Sequence, residues 1–180
     1  TGWPYGTFTY HVELGPMIAG VPLGLPLFFV PLVLNSVLVV TLLLARWSLP
    51  TRLLAALGVV IAVDLALDPG AVSLGFWSYA EPSSYYEVPL SNYRGWVLSG
   101  AVAVTAVTAG FAAEPLRRRL ADCEFMLDDF VSFVLLWGTI NAFYGNWIAV
   151  AVVAVLALLL VRSDRFDLPA PPWWSSRSGG

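Results

Sequence analysis

Residues 51–70 read TRLLAALGVVIAVDLALDPG, and this stretch decides what kind of protein the chain is. Leu53 to Val63 is an unbroken apolar run, opened by Pro50-Thr51 and closed by Pro69-Gly70. Proline at the start and Pro-Gly at the end are helix start and stop signals, so a helix is expected over Arg52–Asp68. Roughly 20 apolar residues cross about 30 Å of hydrocarbon. The reading is a membrane span that carries two carboxylates, Asp64 and Asp68.

The same pattern recurs on both sides. Further spans are expected at Leu25–Ala45, Tyr93–Ala113, Asp129–Tyr144 and Trp147–Val161, and Gly145-Asn146 leaves only a tight turn between the last two. The fold class is therefore all-α, a polytopic membrane helix bundle of about five spans. Residues 1–162 form the transmembrane domain, and the polar, Pro- and Ser-rich residues 163–180 form a largely disordered tail in which Trp173 and Trp174 act as interfacial anchors. Composition agrees: the 180 residues are 58% hydrophobic and 12% charged, with mean hydropathy +0.77. Soluble domains carry about 25% charged residues.

Several function classes fall away. The formal charge of −3 and the lack of a basic cluster beyond Arg117, Arg118 and Arg119 exclude a nucleic-acid binder. One cysteine, Cys123, permits no internal disulfide. The single histidine, His11, cannot supply a histidine-rich iron site, and without any lysine there is no Schiff-base retinal pigment. No metal site and no cofactor are expected. The first residue is Thr with no charged leader before it, so the chain is expected to begin partway through a longer protein, after earlier helices.

Arg46 and Arg52, Arg117 to Arg119, and Arg162 and Arg165 all fall on one side of the spans. The positive-inside rule makes that side cytoplasmic, with the carboxyl end inside a multi-pass protein of the cell membrane. The opposite face holds residues 1–24, 69–92 and 145–146. The first of these is rich in Gly and Pro (Gly15-Pro16, Val21 to Pro26), which cannot make a regular lipid-exposed helix. It is read as a re-entrant segment lining a cavity, or as a kinked approach to the first span. Gly95, Ser99 and Ala103, at four-residue spacing, are read as helix-packing positions.

Charge inside a bilayer costs about 2.5–3.5 kcal/mol per residue on insertion scales, so an intramembrane acid is a functional candidate by default. Asp64 and Asp68 share one helical face, one turn apart. Such a pair is expected to share a proton and to be able to act as a general acid. The plainer alternative has Asp68 capping the turn while Asp64 bonds a Ser, Asn or Arg of a neighbouring helix. Asp-x-x-x-Asp also occurs in magnesium-dependent prenyltransferases, but Asp122, Glu124, Asp128 and Asp129 lie on the opposite membrane face. Around the pair's end of the bundle gather His11, Glu13, Phe76, Trp77, Tyr79, Tyr85, Tyr86, Glu87, Asn92, Tyr93, Arg94 and Trp96. Aromatics there can form an interfacial belt or shelter a cation, and Arg94 is the expected partner for a carboxylate.

The stretches TGWPYGTFTYHVELGPMIAGVPLGLP, DLALDPGAVSLGFWSY and YYEVPLSNYRGW resemble the CruF-type carotenoid hydratases over most of residues 1–150. The resemblance implies an integral membrane enzyme of carotenoid biosynthesis. The lysine-free, acidic composition leans toward the haloarchaeal branch, where the family hydrates bisanhydrobacterioruberin to bacterioruberin. It assigns no catalytic residues.

Hydration needs an acid, a water and a shelter for a cation, all available here without a cofactor. The expected mechanism takes a carotenoid from the bilayer and protonates its terminal double bond from Asp64 or Asp68. Trp77, Tyr85, Tyr86 and Trp96 then face the tertiary cation, with Asn92 and Arg94 completing the substrate site, while Glu13 or His11 orients and deprotonates the water. Association with other carotenoid-synthesis enzymes is expected. The rival from another class is a non-catalytic carotenoid-binding subunit; a transporter is a third reading, without an inverted repeat to support it.

Overall fold

Ser48 sets the start of the longest helix. Its backbone is extended, and its Oγ accepts the Thr51 N–H at 3.5 Å. Pro50 follows in the first turn, where a missing N–H loses nothing. In the computed structural model, which describes residues 2–18, 20–83, 85–111, 115 and 127–162, five helices occupy the five expected places. They are α1 (Leu25–Leu43), α2 (Leu49–Ser73), α3 (Leu90–Gly110), α4 (Asp128–Tyr144) and α5 (Trp147–Arg162). Helix α2 packs against the other four and forms the axis of the bundle. Its Val59, Val60, Val63 and Ala66 meet Val37 and Val40 of α1, Val104 of α3, Val134 of α4 and Leu156 of α5 in one core.

The stop expected at Pro69-Gly70 is not a stop. Helix α2 runs through it to Ser73, with Pro69 inside and buried. A proline in a helix removes one donor and crowds the carbonyl four residues back. Here the freed carbonyl is taken up from outside: the Tyr85 hydroxyl donates to Leu65 O at 2.9 Å, and, one residue on, Asn141 Nδ2 of α4 also donates to Ala66 O at 2.7 Å. Gly70 is needed for a second reason. A Cβ there would lie 2.7 Å from the Trp137 ring of α4.

The tight turn between α4 and α5 is present, closed by Gly145 in the left-handed conformation at φ 75°. Asn146 Nδ2 donates to Asn141 Oδ1 at 3.0 Å and to Ser73 Oγ at 3.1 Å, which ties this turn to the end of α2. Near the other end, Asn35 of α1 donates to Asp129 of α4 at 2.6 Å. Asn35, Asn141 and Asn146 thus bond one helix to the next.

Helices α1 and α2 are long and apolar enough to cross a membrane, and α5 is apolar but shorter. Large apolar side chains also face outward around the bundle, among them Leu27, Leu54, Val102, Leu135, Phe143 and Leu158. Soluble monomers seldom expose apolar surface on this scale.

The Gly/Pro-rich amino-terminal segment is built from short strands and turns. Strand β1 (Phe8–Tyr10) pairs antiparallel with β4 (Trp77–Tyr79), and β2 (Met17–Ile18) pairs with β3 (Val21–Pro22). The packing expected of the small-residue stripe in α3 is divided between two partners. Gly95 receives the ring of Tyr5 from the amino-terminal segment, while the close approach to α2 is at Gly100, against Leu57 and Val60. The loop arginines 117–119, Asp122, Glu124 and the tail 163–180 with Trp173 and Trp174 lie outside the described residues.

Candidate active site

Two elements converge on the acid pair. Asp64 and Asp68 project from one face of α2, fully buried and 3% exposed respectively. From α3, Asn92 donates its side-chain amide to Asp64 Oδ2 at 3.2 Å and also to Asp68 Oδ2. From β4, the Tyr79 hydroxyl donates to the same Asp68 Oδ2 at 2.8 Å. The asparagine bond to Asp64 is one that the plainer reading of that residue predicts. The bond between Tyr79 and Asp68 was not anticipated.

The strand pair explains why Tyr79 faces inward. Side chains alternate along a strand, and the register sets Phe8 opposite Tyr79, Thr9 opposite Ser78 and Tyr10 opposite Trp77. Phe8, Tyr10, Trp77 and Tyr79 are half-buried, while Thr9 and Ser78 are exposed. The aromatic side stacks on itself: Phe8 lies 5.7 Å from Tyr79 and Tyr10 lies 6.0 Å from Trp77, between ring centroids. On the outer side His11 meets Ser78, Nε2 to Oγ, at 2.8 Å.

A shell of phenols surrounds the carboxylates. Burial raises the Tyr79 phenol far above its ordinary value, and the charge of Asp68 raises it further. Tyr10 is pushed up to about 12, first by burial and then by Asp68 and Tyr5. Tyr85 is likewise pushed up to about 12, by burial and then by Tyr86 and Asp64. Burial also raises Tyr5, against a lowering by the neighbouring Ser99 hydroxyl. At neutral pH these phenols are hydrogen-bond donors rather than acids. The Ser99 hydroxyl lies beside Tyr5 outside hydrogen-bond geometry, and Asp64 Oδ1, the Tyr93 hydroxyl and Trp77 Nε1 are buried polar atoms without a protein partner.

Of the residues expected at the site, Asp64, Asp68 and Asn92 are in direct contact, with Trp77 and Tyr85 on the surrounding aromatic side. Tyr86 stands one step out, its hydroxyl accepting the Ile148 N–H of α5 at 3.1 Å. Tyr86 and Glu87 both have positive φ, 47° and 62°, in the turn closed by Val88 N–H on Tyr85 O. Non-glycine residues held there cost about 1–3 kcal/mol each, and the two tyrosine hydroxyls anchor the turn to α2 and α5. Trp96 packs between Tyr5 and Phe29, at 6.5 and 5.4 Å.

Three residues are placed elsewhere. His11 and Glu13 are exposed, and neither bonds to Asp64 or Asp68. Arg94 is exposed and forms no ion pair among the described residues, contrary to the expectation that it partners a carboxylate. The reason is helical geometry: two residues on from Asn92 is about 200° around the axis, so Arg94 points away. It lines a separate cavity of about 540 Å³ with Trp3, Thr7, Glu81, Ser91 and Leu98. Tyr79 and Tyr93, expected only as members of the aromatic gathering at this end, join the site, and so do Tyr5 and Ser99, for which no site role is expected. The alternating FTY and WSY segments carried the signal for Tyr79.

Comparison with known proteins gives this arrangement a context. The model of a family described as carotenoid biosynthesis protein matches residues 1–160. A curated relative, the bisanhydrobacterioruberin hydratase of Haloarcula japonica, is 59% identical over 170 residues, covering 93% of this chain and 58% of its own length. The chain therefore spans somewhat over half of that relative. No solved structure matches it.

Proposed function

The chain belongs to the carotenoid biosynthesis protein family, and on that premise we propose that it is a carotenoid hydratase of the cell membrane. Its substrate class is the acyclic end group of a long polyene, with bisanhydrobacterioruberin, named for the relative at 59% identity, as the first choice. The product is a tertiary alcohol. All five helices cross the bilayer, with the arginine-bearing loops and the carboxyl end in the cytoplasm. Neighbouring enzymes of carotenoid synthesis are its natural associates.

The single observation that carries this reading is the pair Asp64 and Asp68, buried on the central apolar helix and bridged by one asparagine. One shared proton leaves the pair with a single negative charge. That proton adds to the less substituted carbon of the terminal alkene, and the cation forms on the more substituted one. Water attacks the cation through oxygen, and the proton it sheds returns to the carboxylates, so the acid is regenerated. The negative charge left on the pair and the surrounding phenol faces oppose the cation's charge, a preorganised stabilisation worth more than a single proton transfer. His11, on the outer side of the strand pair, and the exposed Glu13 are left out of this scheme.

The complete enclosure of Asp64 is what a structural acid pair would show, and with it a non-catalytic, pigment-binding role for the bundle is the second reading. Incubating the full-length protein in lipid with bisanhydrobacterioruberin and no added cofactor separates the two. The hydratase returns the tertiary alcohol, whereas a binder returns the polyene unchanged.

A further inference from the structure

The two carboxyl groups are not equivalent. Asp68 Oδ2 accepts two hydrogen bonds, from Tyr79 and from Asn92, whereas Asp64 Oδ2 accepts one at 3.2 Å and Asp64 Oδ1 accepts none. A carboxylate is acceptor-only, and donors aimed at it favour its charged form. An ionised oxygen that is buried without a donor is costly, while a protonated carboxyl carries no such charge. We propose that Tyr79 is a positioning residue which, with Asn92, holds Asp68 as the anion, so that the proton of the pair resides on Asp64 Oδ1 and Asp64 is the acid that meets the alkene.

This assignment rests on the hydratase reading and divides its labour. Asp64 loses its proton to the alkene and regains one from the attacking water; Asp68 keeps its negative charge throughout and faces the cation. Tyr79 never releases its own proton, because burial and Asp68 hold its phenol far above its ordinary range. The Tyr93 hydroxyl, buried without a protein partner, is left to orient the water. The strand register is what delivers Tyr79: a slip of one residue along β4 would point Ser78 inward in its place.

The test is infrared spectroscopy of the full-length protein in lipid, following the carbonyl band of a protonated carboxylic acid that shifts in heavy water. The wild type shows the band, Asp64→Asn loses it and Asp68→Asn retains it. Tyr79→Phe shifts or broadens it and lowers kcat by about tenfold, the effect of removing one hydrogen bond to a charged group, with KM little changed. Loss of the band in Asp68→Asn with retention in Asp64→Asn overturns the assignment. So does a Tyr79→Phe protein with band and kcat unchanged, which decides the matter even where Asp64→Asn fails to accumulate. A wild type that shows the expected bands but forms no alcohol leaves the proton assignment standing and removes the hydratase reading instead.

Discussion

The Tyr85 hydroxyl donates to the main-chain carbonyl of Leu65 at 2.9 Å, the carbonyl whose helical partner Pro69 cannot provide. One side chain from the loop thus repairs the central helix where it passes the acid pair. Tyr85→Phe should leave that carbonyl unpaired and destabilise the protein by about 1–3 kcal/mol. Pro69→Ala restores the N–H, so the same tyrosine change made in that background should cost little. Thermal unfolding of the four proteins in one detergent checks this; equal losses in both backgrounds would refute the repair.

Tyr5 and Gly95 make the second contact of this kind. A Cβ at position 95 collides with the Tyr5 ring, and overpacking of this sort costs about 1–3 kcal/mol. Gly95→Ala should therefore loosen the amino-terminal segment and expose it to limited proteolysis. Removing the ring with Tyr5→Ala in the same protein should relieve the clash.

The solvent-facing pair gives the opposite expectation. His11→Ala and Glu13→Gln alter exposed groups, the first on the outer side of the strand pair. Changes of that kind usually stay within about 0.5 kcal/mol, and product formation should stay at the wild-type level. A large loss of turnover with normal accumulation would return them to the mechanism.

Alkaline titration tests the phenol shell. Tyr10 and Tyr85 rise from 10.0 to about 12 in the folded protein. Between about pH 10 and 12 the folded chain holds phenol protons that the unfolded chain has lost, so stability falls as pH rises through that window. Unfolding measured across that range should show the decline, and tyrosinate absorbance in the native protein should lag behind the ordinary value.

Much of this was legible in the residues. The five helices follow from their apolar runs, and Asp64 and Asp68 stood out because acids one turn apart in such a run are expensive. Pro69-Gly70 misled because a local stop signal says nothing of Tyr85, which satisfies the freed Leu65 carbonyl from another part of the chain, or of the packing of α4 against Gly70. Arg94 misled because proximity in sequence to Asn92 is the wrong measure on a helix. The bond from Tyr79 to Asp68 is not legible because only the long-range pairing of β1 with β4, which sets Thr9 opposite Ser78, fixes which side of the strand faces the acids.

Replacing either acid by its amide should separate catalysis from folding. Asp64→Asn and Asp68→Asn keep the side-chain volume and the link to Asn92. Each should lower hydrated product by at least about 100-fold, the lower end for removing a general acid or base. Full turnover in both, at normal accumulation, would mean that the pair is structural.

The most direct measurement is the origin of the new oxygen atom. Full-length protein in lipid is incubated with bisanhydrobacterioruberin in heavy-oxygen water under ordinary dioxygen, and the alcohol is weighed by mass spectrometry. Protonation followed by capture of water predicts a heavy hydroxyl. A light hydroxyl, drawn from dioxygen, would contradict it.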